Sequence, residues 1–184
     1  MRKFVPDLTD FEPITLTGNY VADTKKLQVD GKIPQVTYGK NVISNGTITI
    51  NNLDVALVYD LNLGKFNNES IALLKVNLKG DVKDNLINYN VSTKDEKDAT
   101  KFLIAGNAEK VGDLTKIKLN PDGLKLNYDN WLVSPDNYIQ LSSGGILANN
   151  FSISNAGSEI KVQSETNRPN SPLNISIKDF KIET

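Results

Sequence analysis

Apolar residues fall on every second position from Leu53 to Leu63, as Leu53, Val55, Leu57, Tyr59, Leu61 and Leu63, with Asp54, Asp60 and Asn62 between them. Successive side chains of a strand point to opposite faces, so this segment predicts a strand with one apolar and one largely wet face. The same period recurs at Ile48 and Ile50; Ile87, Tyr89 and Val91; Leu124, Leu126 and Tyr128; Phe151 and Ile153; Ile160 and Val162; and Leu173, Ile175 and Ile177. After Ile177 the phase slips to Phe180 and Ile182, as one extra residue at Lys178 or Asp179 would cause by forming a bulge. Most of the chain therefore reads as strand.

Turn-forming residues punctuate these runs at Asp30-Gly31, Asn45-Gly46, Gly80-Asp81, Lys94 to Asp98, Pro121-Asp122-Gly123, Gly144-Gly145 and Ala156-Gly157. Asn and Gly tolerate positive φ, and an Asx side chain can close a turn on its own backbone, so each site predicts a hairpin. The expected fold class is all-β, an antiparallel meander. One segment is ambiguous: ESIALLKVNL, from Glu69, spaces Ile71, Leu74 and Leu78 for a helix and Leu74, Val76 and Leu78 for a strand. Its strand neighbours and Asn77, a poor interior helix residue, favour a strand with a bulge.

Length and composition narrow the picture. A chain of 184 residues supports one domain over residues 1–184 with a substantial core, or one piece of a longer array. Charged residues make up 23% and balance to a net charge of −1, leaving no basic surface to release counterions from a phosphate backbone, so nucleic acid is not an expected partner. The absence of cysteine removes disulfides, thiolate nucleophiles and sulfur-based zinc sites. The absence of histidine removes the usual neutral-pH acid/base and the Ser-His triad. No enzyme and no cofactor are expected, carboxylate-only hydrolysis being the remaining distant option. No stretch approaches the ~20 apolar residues that cross a bilayer as a helix. MRKFVPDLTD has a basic pair without an apolar run behind it, and KDFKIET stops inside an alternating pattern, so a piece of a longer protein is expected.

Three groups of residues invite a functional reading. Asp122, Asp129 and Asp136 are seven apart, whereas calcium takes oxygen ligands from alternate positions of one short loop, so they read as turn formers in PDG and SPDN. Lys94 to Asp98 is a mixed-sign run that reads as a solvated hairpin tip. Trp131, Tyr128 and Tyr138 could stack a sugar, or Trp131 could plug a bend between strands; an aromatic content of 7% and the lack of a second platform favour the plug.

The stretch LNPDGLKLNYDNWLVSPDNYIQL (119–141), followed by GGILANNFSISNAGSEIKVQS (144–164), resembles the TamB branch of the AsmA-like proteins in its Bacteroidetes-type form. There a strand ending in NPDG leads to LxLxYxxWxVxxDNxI and then to GIxAxxFxLSxxGxxIxIxS. Upstream, ISNGTITINNLDVALVYDLNL and YNVSTKDEKDATKFLIAGNA are similar to the repetitive strands of that family. The resemblance covers Ile33 to Thr184, most closely Leu119 to Ser164, and rests on structural strings without catalytic motifs.

The resemblance implies a U-shaped "β-taco" whose apolar concave face carries phospholipid between inner and outer membrane. It further implies a periplasmic address, an inner-membrane anchor outside this sequence and an Omp85-type outer-membrane partner. The candidate lining is then Leu53, Val55, Leu57, Tyr59, Leu61, Leu63, Ile87, Tyr89, Val91, Leu124, Leu126, Phe151, Ile153, Ile160, Val162, Leu173, Ile175 and Ile177, and the expected ligand is phospholipid acyl chains. Periodicity alone does not separate an open groove from the sealed core of a β-sandwich or jelly roll, for which a carbohydrate-binding or adhesion role is the alternative. Either way, unpaired edge strands such as the one starting at Leu173 favour dimers.

Overall fold

A computed structural model describes residues 7–52 and 55–179. Every element among them is a strand, and every strand pairing within each unit is antiparallel. The chain divides into two compact units, 1–83 with 90–100 and 84–89 with 101–184.

The first unit contains β1 (Leu8–Phe11), β2 (Thr15–Val21), β3 (Lys26–Tyr38), β4 (Asn41–Asn51), β5 (Leu57–Asn67) and β6 (Ala72–Lys83). β3, β4, β5 and β6 pair in sequence order, while β1 and β2 share the free side of β3, β1 against Val36–Tyr38 and β2 against Lys26–Lys32. Directly opposed residues lie on the same face of the sheet. On one face the register builds the row Leu16, Gly31, Ile48, Leu61, Leu78, and beside it the rows Gly18, Val29, Ile50, Tyr59, Gly80 and Ile33, Gly46, Leu63, Val76. The reverse face carries Asp30, Thr49, Asp60, Lys79 and Lys32, Thr47, Asn62, Asn77. None of the apolar side chains in these rows is buried, as the facing layers of a closed sandwich would require.

ESIALLKVNL is strand: β6 starts at Ala72, and its irregularity is Lys75 at φ 46 rather than an inserted residue, because Leu74 and Val76 keep register with Lys65 and Leu63. Four predicted hairpins are corrected. Asp30-Gly31, Asn45-Gly46, Gly80-Asp81 and Pro121-Asp122-Gly123 all lie inside strands. A Cβ on Gly31 would sit 2.7 Å from Ile48 Cγ2 and 3.1 Å from Leu16 Cδ1, so this glycine makes room for large neighbours instead of turning the chain.

The second unit contains β8 (Thr100–Val111, from Lys101 onward), β9 (Leu114–Leu126), β10 (Asp129–Val133), β11 (Tyr138–Ser142), β12 (Gly145–Asn149), β13 (Phe151–Asn155), β14 (Ser158–Ser164) and β15 (Leu173–Lys178). β7 (Leu86–Lys94) is divided, with residues 86–89 in this unit and 90–94 in the first. One side of β9 pairs with β8; the other is shared, Leu124–Leu126 with β10 and Thr115–Ile117 with β11. From that fork, β11 continues to β12, while β10 continues through β13 and β14 to β15.

NPDG sits at the fork. Ile104 opposes Leu124 and Gly106 opposes Leu119, so Asn120 to Gly123 bulge opposite Ala105 alone. Pro121 is tolerated there because a bulged residue has no ladder bond to lose. The chain instead reverses at Asn127-Tyr128, where both residues have positive φ (48 and 74), the requirement of a two-residue type I′ hairpin. Tyr128, predicted on a strand, is thus a turn residue. The expected turn at Ala156-Gly157 and the tip at Lys94 to Asp98 are present, and Ser143-Gly144 turns one residue before the predicted Gly144-Gly145.

Among the described residues, buried apolar side chains are confined to the second unit: Ala105, Leu124, Val133, Leu147 and Ala148. Asn137 is 0% exposed; its Oδ1 accepts from Leu119 N (2.9 Å) and its Nδ2 donates to Leu119 O (2.8 Å) and Ser134 O (2.6 Å). The side-chain amide thereby stands in for a strand partner to Leu119 immediately before the NPDG bulge. Ser164, also buried, accepts the Ala148 N–H at its Oγ (2.9 Å).

Candidate functional site

Alternation builds an apolar face across β2–β6. Polar neighbours on the reverse face fix which way each strand presents it. Asn77 Nδ2 donates to Asp60 Oδ1 (2.7 Å) and Asn62 Oδ1 (2.8 Å), and Asn62 Nδ2 donates to Asp60 Oδ1 (2.8 Å). A one-residue slip would carry this network to the apolar side, which pins the register. Five strands ~4.8 Å apart with rows roughly 7 Å apart give a face on the order of 400 Å², as large as the patches that on soluble proteins mark a binding surface.

Exposure rises toward the β2 side, where Leu16 is 68% and Tyr20 61% exposed, while Ile48, Leu61 and Leu78 are half-buried by their flanks. Neighbouring rows cover one another's sides and leave the tops open. The Tyr59 hydroxyl titrates above its ordinary range, through burial first and the Asp81 carboxylate second. It is therefore neutral at physiological pH and adds no charge to the face.

Of the predicted lining, Leu57, Tyr59, Leu61 and Leu63 share this face. Val55 does not: it lies in the bend before β5 and is 81% exposed, and β5 starts at Leu57, four residues after the first member of the alternation. Leu53 falls outside the described residues, as do Phe180 and Ile182; Asp179, with φ 46, marks an irregularity after Lys178 where the phase slip predicts one. Val91, on the part of β7 in the first unit, is half-buried.

The remaining candidates lie in the second unit. Val133, Ile153, Ile160 and Ile177 form one row and Phe151, Val162 and Ile175 another. Burial falls strand by strand along the first, from Val133 in the core, through half-buried Ile153 and Ile160, to exposed Ile177. Leu173 opposes Ser164 at the end of the same ladder. Leu124 is a core residue, 5% exposed between Ile104 and Trp131, so it is closed to a ligand; Leu126 is half-buried opposite Asp129. Ile87 is exposed, and half-buried Tyr89 donates its hydroxyl to Lys118 O (3.2 Å), burial holding that hydroxyl above its ordinary range.

The predicted lining leaves out Leu16, Val29, Ile33, Val76 and Leu78. Val76 and Leu78 have strand spacing in the sequence without being assigned to the face, and Ile33 sits on a strand whose alternation is interrupted by Gly31; the register places all of them on it.

The other candidates look structural. Tyr128 is in a turn, half-buried Trp131 pairs with Leu124, and the Lys116 ammonium lies 3.9 Å from the Tyr138 ring centroid, occupying a face a sugar would need. Among the described residues no three Asp or Glu side chains gather as a metal site. At the 94–98 tip, Asp95 Oδ1 accepts from Lys97 N and Ala99 N (2.9 Å each), and Lys75 Nζ reaches Asp98 Oδ1 (2.8 Å). A polar recess of about 510 Å³ on β5 and β6, edged by Asp60, Asn62, Lys75, Asn77 and Asp98, is formed largely by residues bonded to one another.

No protein-family model, no curated protein and no solved structure matches this chain.

Proposed function

We propose that the chain is a lipid-conducting segment of a TamB-type, AsmA-like envelope protein, with the apolar face of β2–β6 as a bed for phospholipid acyl chains. The observation that carries this reading is a contiguous face of Leu, Ile, Val and Tyr in register on five strands, none of it buried. A patch of that size matches the largest apolar patches of soluble monomers, which are often functional, and suits an apolar occupant. Each methylene placed on it contributes ~0.8 kcal/mol without directional demands, so an acyl chain can be held and still slide. No catalytic residue is required.

The resemblance at 119–141 and 144–164 extends the reading to the whole protein: a periplasmic position, an inner-membrane anchor from another segment, an Omp85-type outer-membrane partner, and bulk phospholipid as cargo. The test is native mass spectrometry of protein purified without detergent, alongside Leu61→Asp and the Leu61→Asp/Leu78→Asp pair. Phospholipid should accompany the parent and be lost from the variants while circular dichroism stays that of the parent. Absence of lipid from the parent, with the variants unfolding, would sink the conduit in favour of a closed core.

A further inference from the structure

A line of irregular backbone crosses the first unit. Ile33 pairs with Gly46 and Gln35 with Ser44; Gly46 pairs with Leu63 and Ser44 with Lys65; Leu63 pairs with Val76 and Lys65 with Leu74. Pro34, Asn45, Gly64 and Lys75 therefore share one level, at which every ladder skips a pair. Pro34 has no N–H to give, and Asn45 and Lys75 are left-handed, at φ 55 and 46. Non-glycine residues held in that region gather where a fold clamps a ligand. Gly64 leaves room for the Asn45 side chain, since a Cβ there would lie 2.9 Å from Asn45 Cβ. The polar recess of about 510 Å³ lies on this line, with Asn45, Gly64 and Lys75 in its wall, and has the size of a small-ligand site, ~300–1,000 Å³.

The bonds that build the frame of the recess are one-sided. Asp60 Oδ1 is taken by the amides of Asn62 and Asn77, and Asp98 Oδ1 by the Lys75 ammonium. Left over are donors: the side chains of Asn45, Lys79, Ser92 and Lys94 line the recess and, among the described residues, make no hydrogen bond or ion pair. An ammonium can only donate, and an amide and a hydroxyl can donate beside it. Three ammoniums stand there against two carboxylates, although the chain as a whole has a net charge of −1. We propose that this recess binds a phosphate group, held by Lys79 and Lys94 with Asn45 and Ser92 as neutral donors. The four donors come from β4, β6 and β7, and a phosphate offers them three strongly accepting oxygens where a carboxylate offers two. The phosphate can belong to a soluble phosphomonoester or to a lipid headgroup. Asp60, Asn62 and Asn77 place the recess on the face opposite the acyl bed, so the inference does not rest on lipid occupying that bed.

The test is a heteronuclear NMR titration of the whole chain with inorganic phosphate, run beside sodium chloride at matched ionic strength. Phosphate should shift the backbone amides of Asn45, Gly64, Lys75, Asn77 and Ser92 saturably, and chloride should not. Lys79 and Lys94 are exposed, so Lys79→Gln/Lys94→Gln leaves the fold intact, as circular dichroism verifies, and should weaken phosphate binding about tenfold. Lys26→Gln/Lys32→Gln on β3, outside the recess, removes the same charge and should leave binding unchanged. Leu61→Asp/Leu78→Asp, which disables the acyl bed, should bind phosphate like the parent. Two arms separate the sources. Saturation by glycerol phosphate assigns a soluble phosphomonoester, and cosedimentation with phosphatidylglycerol vesicles that inorganic phosphate competes away assigns a headgroup. Shifts that chloride reproduces, no saturable shift with phosphate, or equal losses in the two lysine pairs would each overturn the proposal.

Discussion

Among the described residues, the first unit spreads strands of up to 13 residues into one ladder with no buried apolar side chain, whereas the second breaks after β9 into strands of five to seven residues and holds the buried apolar side chains. Both are written in the same alternating code. What separates them is how a fork continues: β9 gives part of its free side to β10 and part to β11, both branches go on to further strands, and they bring Val133, Leu147 and Ala148 out of water. In the first unit β3 also shares its free side, between β1 and β2, but among the described residues neither pairs with a further strand, while β3 to β6 pass most of their length to one another and the apolar face stays open. Alternation makes a face; strands that continue beyond a branch decide whether that face becomes a core.

The sharpest test of that contrast is Asn137→Leu. It strands the Leu119 N–H and C=O beside the bulge at the fork, and with ~1–3 kcal/mol for each unsatisfied buried group, about 3–5 kcal/mol should be lost in urea unfolding. Amide exchange should accelerate throughout β9–β14 and far less in β3–β5. A uniform change would break the comparison.

Leucine truncation comes next. Leu124→Ala should cost about 2–4 kcal/mol, a core cavity. Leu61→Ala, half-buried on the open face, should cost about 1 kcal/mol. Equal costs would mean that the face of β2–β6 is sealed.

Gly31→Ala probes the same openness. Its new Cβ meets Ile48 Cγ2 and Leu16 Cδ1, side-chain ends that can shift toward solvent, so the melting temperature should fall by only a few degrees, about 1 kcal/mol. Gly106→Ala in the second unit meets backbone instead, 2.0 Å from Lys118 O, and should fall much further.

The smallest effects are electrostatic. Asp98 is held below the usual carboxylate range by the hydrogen bond and charge of Lys75, and Asp113 by hydrogen bonds from the Ser143 hydroxyl (2.5 Å) and N–H (2.9 Å). A depressed folded-state pKa adds stability that is present above the unfolded value and lost as pH falls through the folded one, so both contributions fade only below the ordinary carboxylate pKa. Both groups are exposed, and the readout is an NMR titration. Added salt or Lys75→Met should raise the Asp98 midpoint, while Asp113, held chiefly by neutral donors, should move little with salt.

The sequence by itself determined that this is an antiparallel all-β chain and which residues of β5, β13, β14 and β15 share a face, because side-chain alternation is local and needs no partner to be read. It also placed the turns at Lys94 to Asp98 and Ala156-Gly157, where local φ preference meets no opposition. Only the tertiary structure decided that Asp30-Gly31, Asn45-Gly46, Gly80-Asp81 and PDG run through strands while Asn127-Tyr128 turns. Ladder bonds and the space beside large cross-strand neighbours outweigh a preference of about 1 kcal/mol per residue. The same holds for burial. Leu61 and Leu124 carry the same side chain in the same alternation, yet one lies on an open face and the other in a core, since burial depends on which distant strand arrives beside it and the chain's own period carries no record of that.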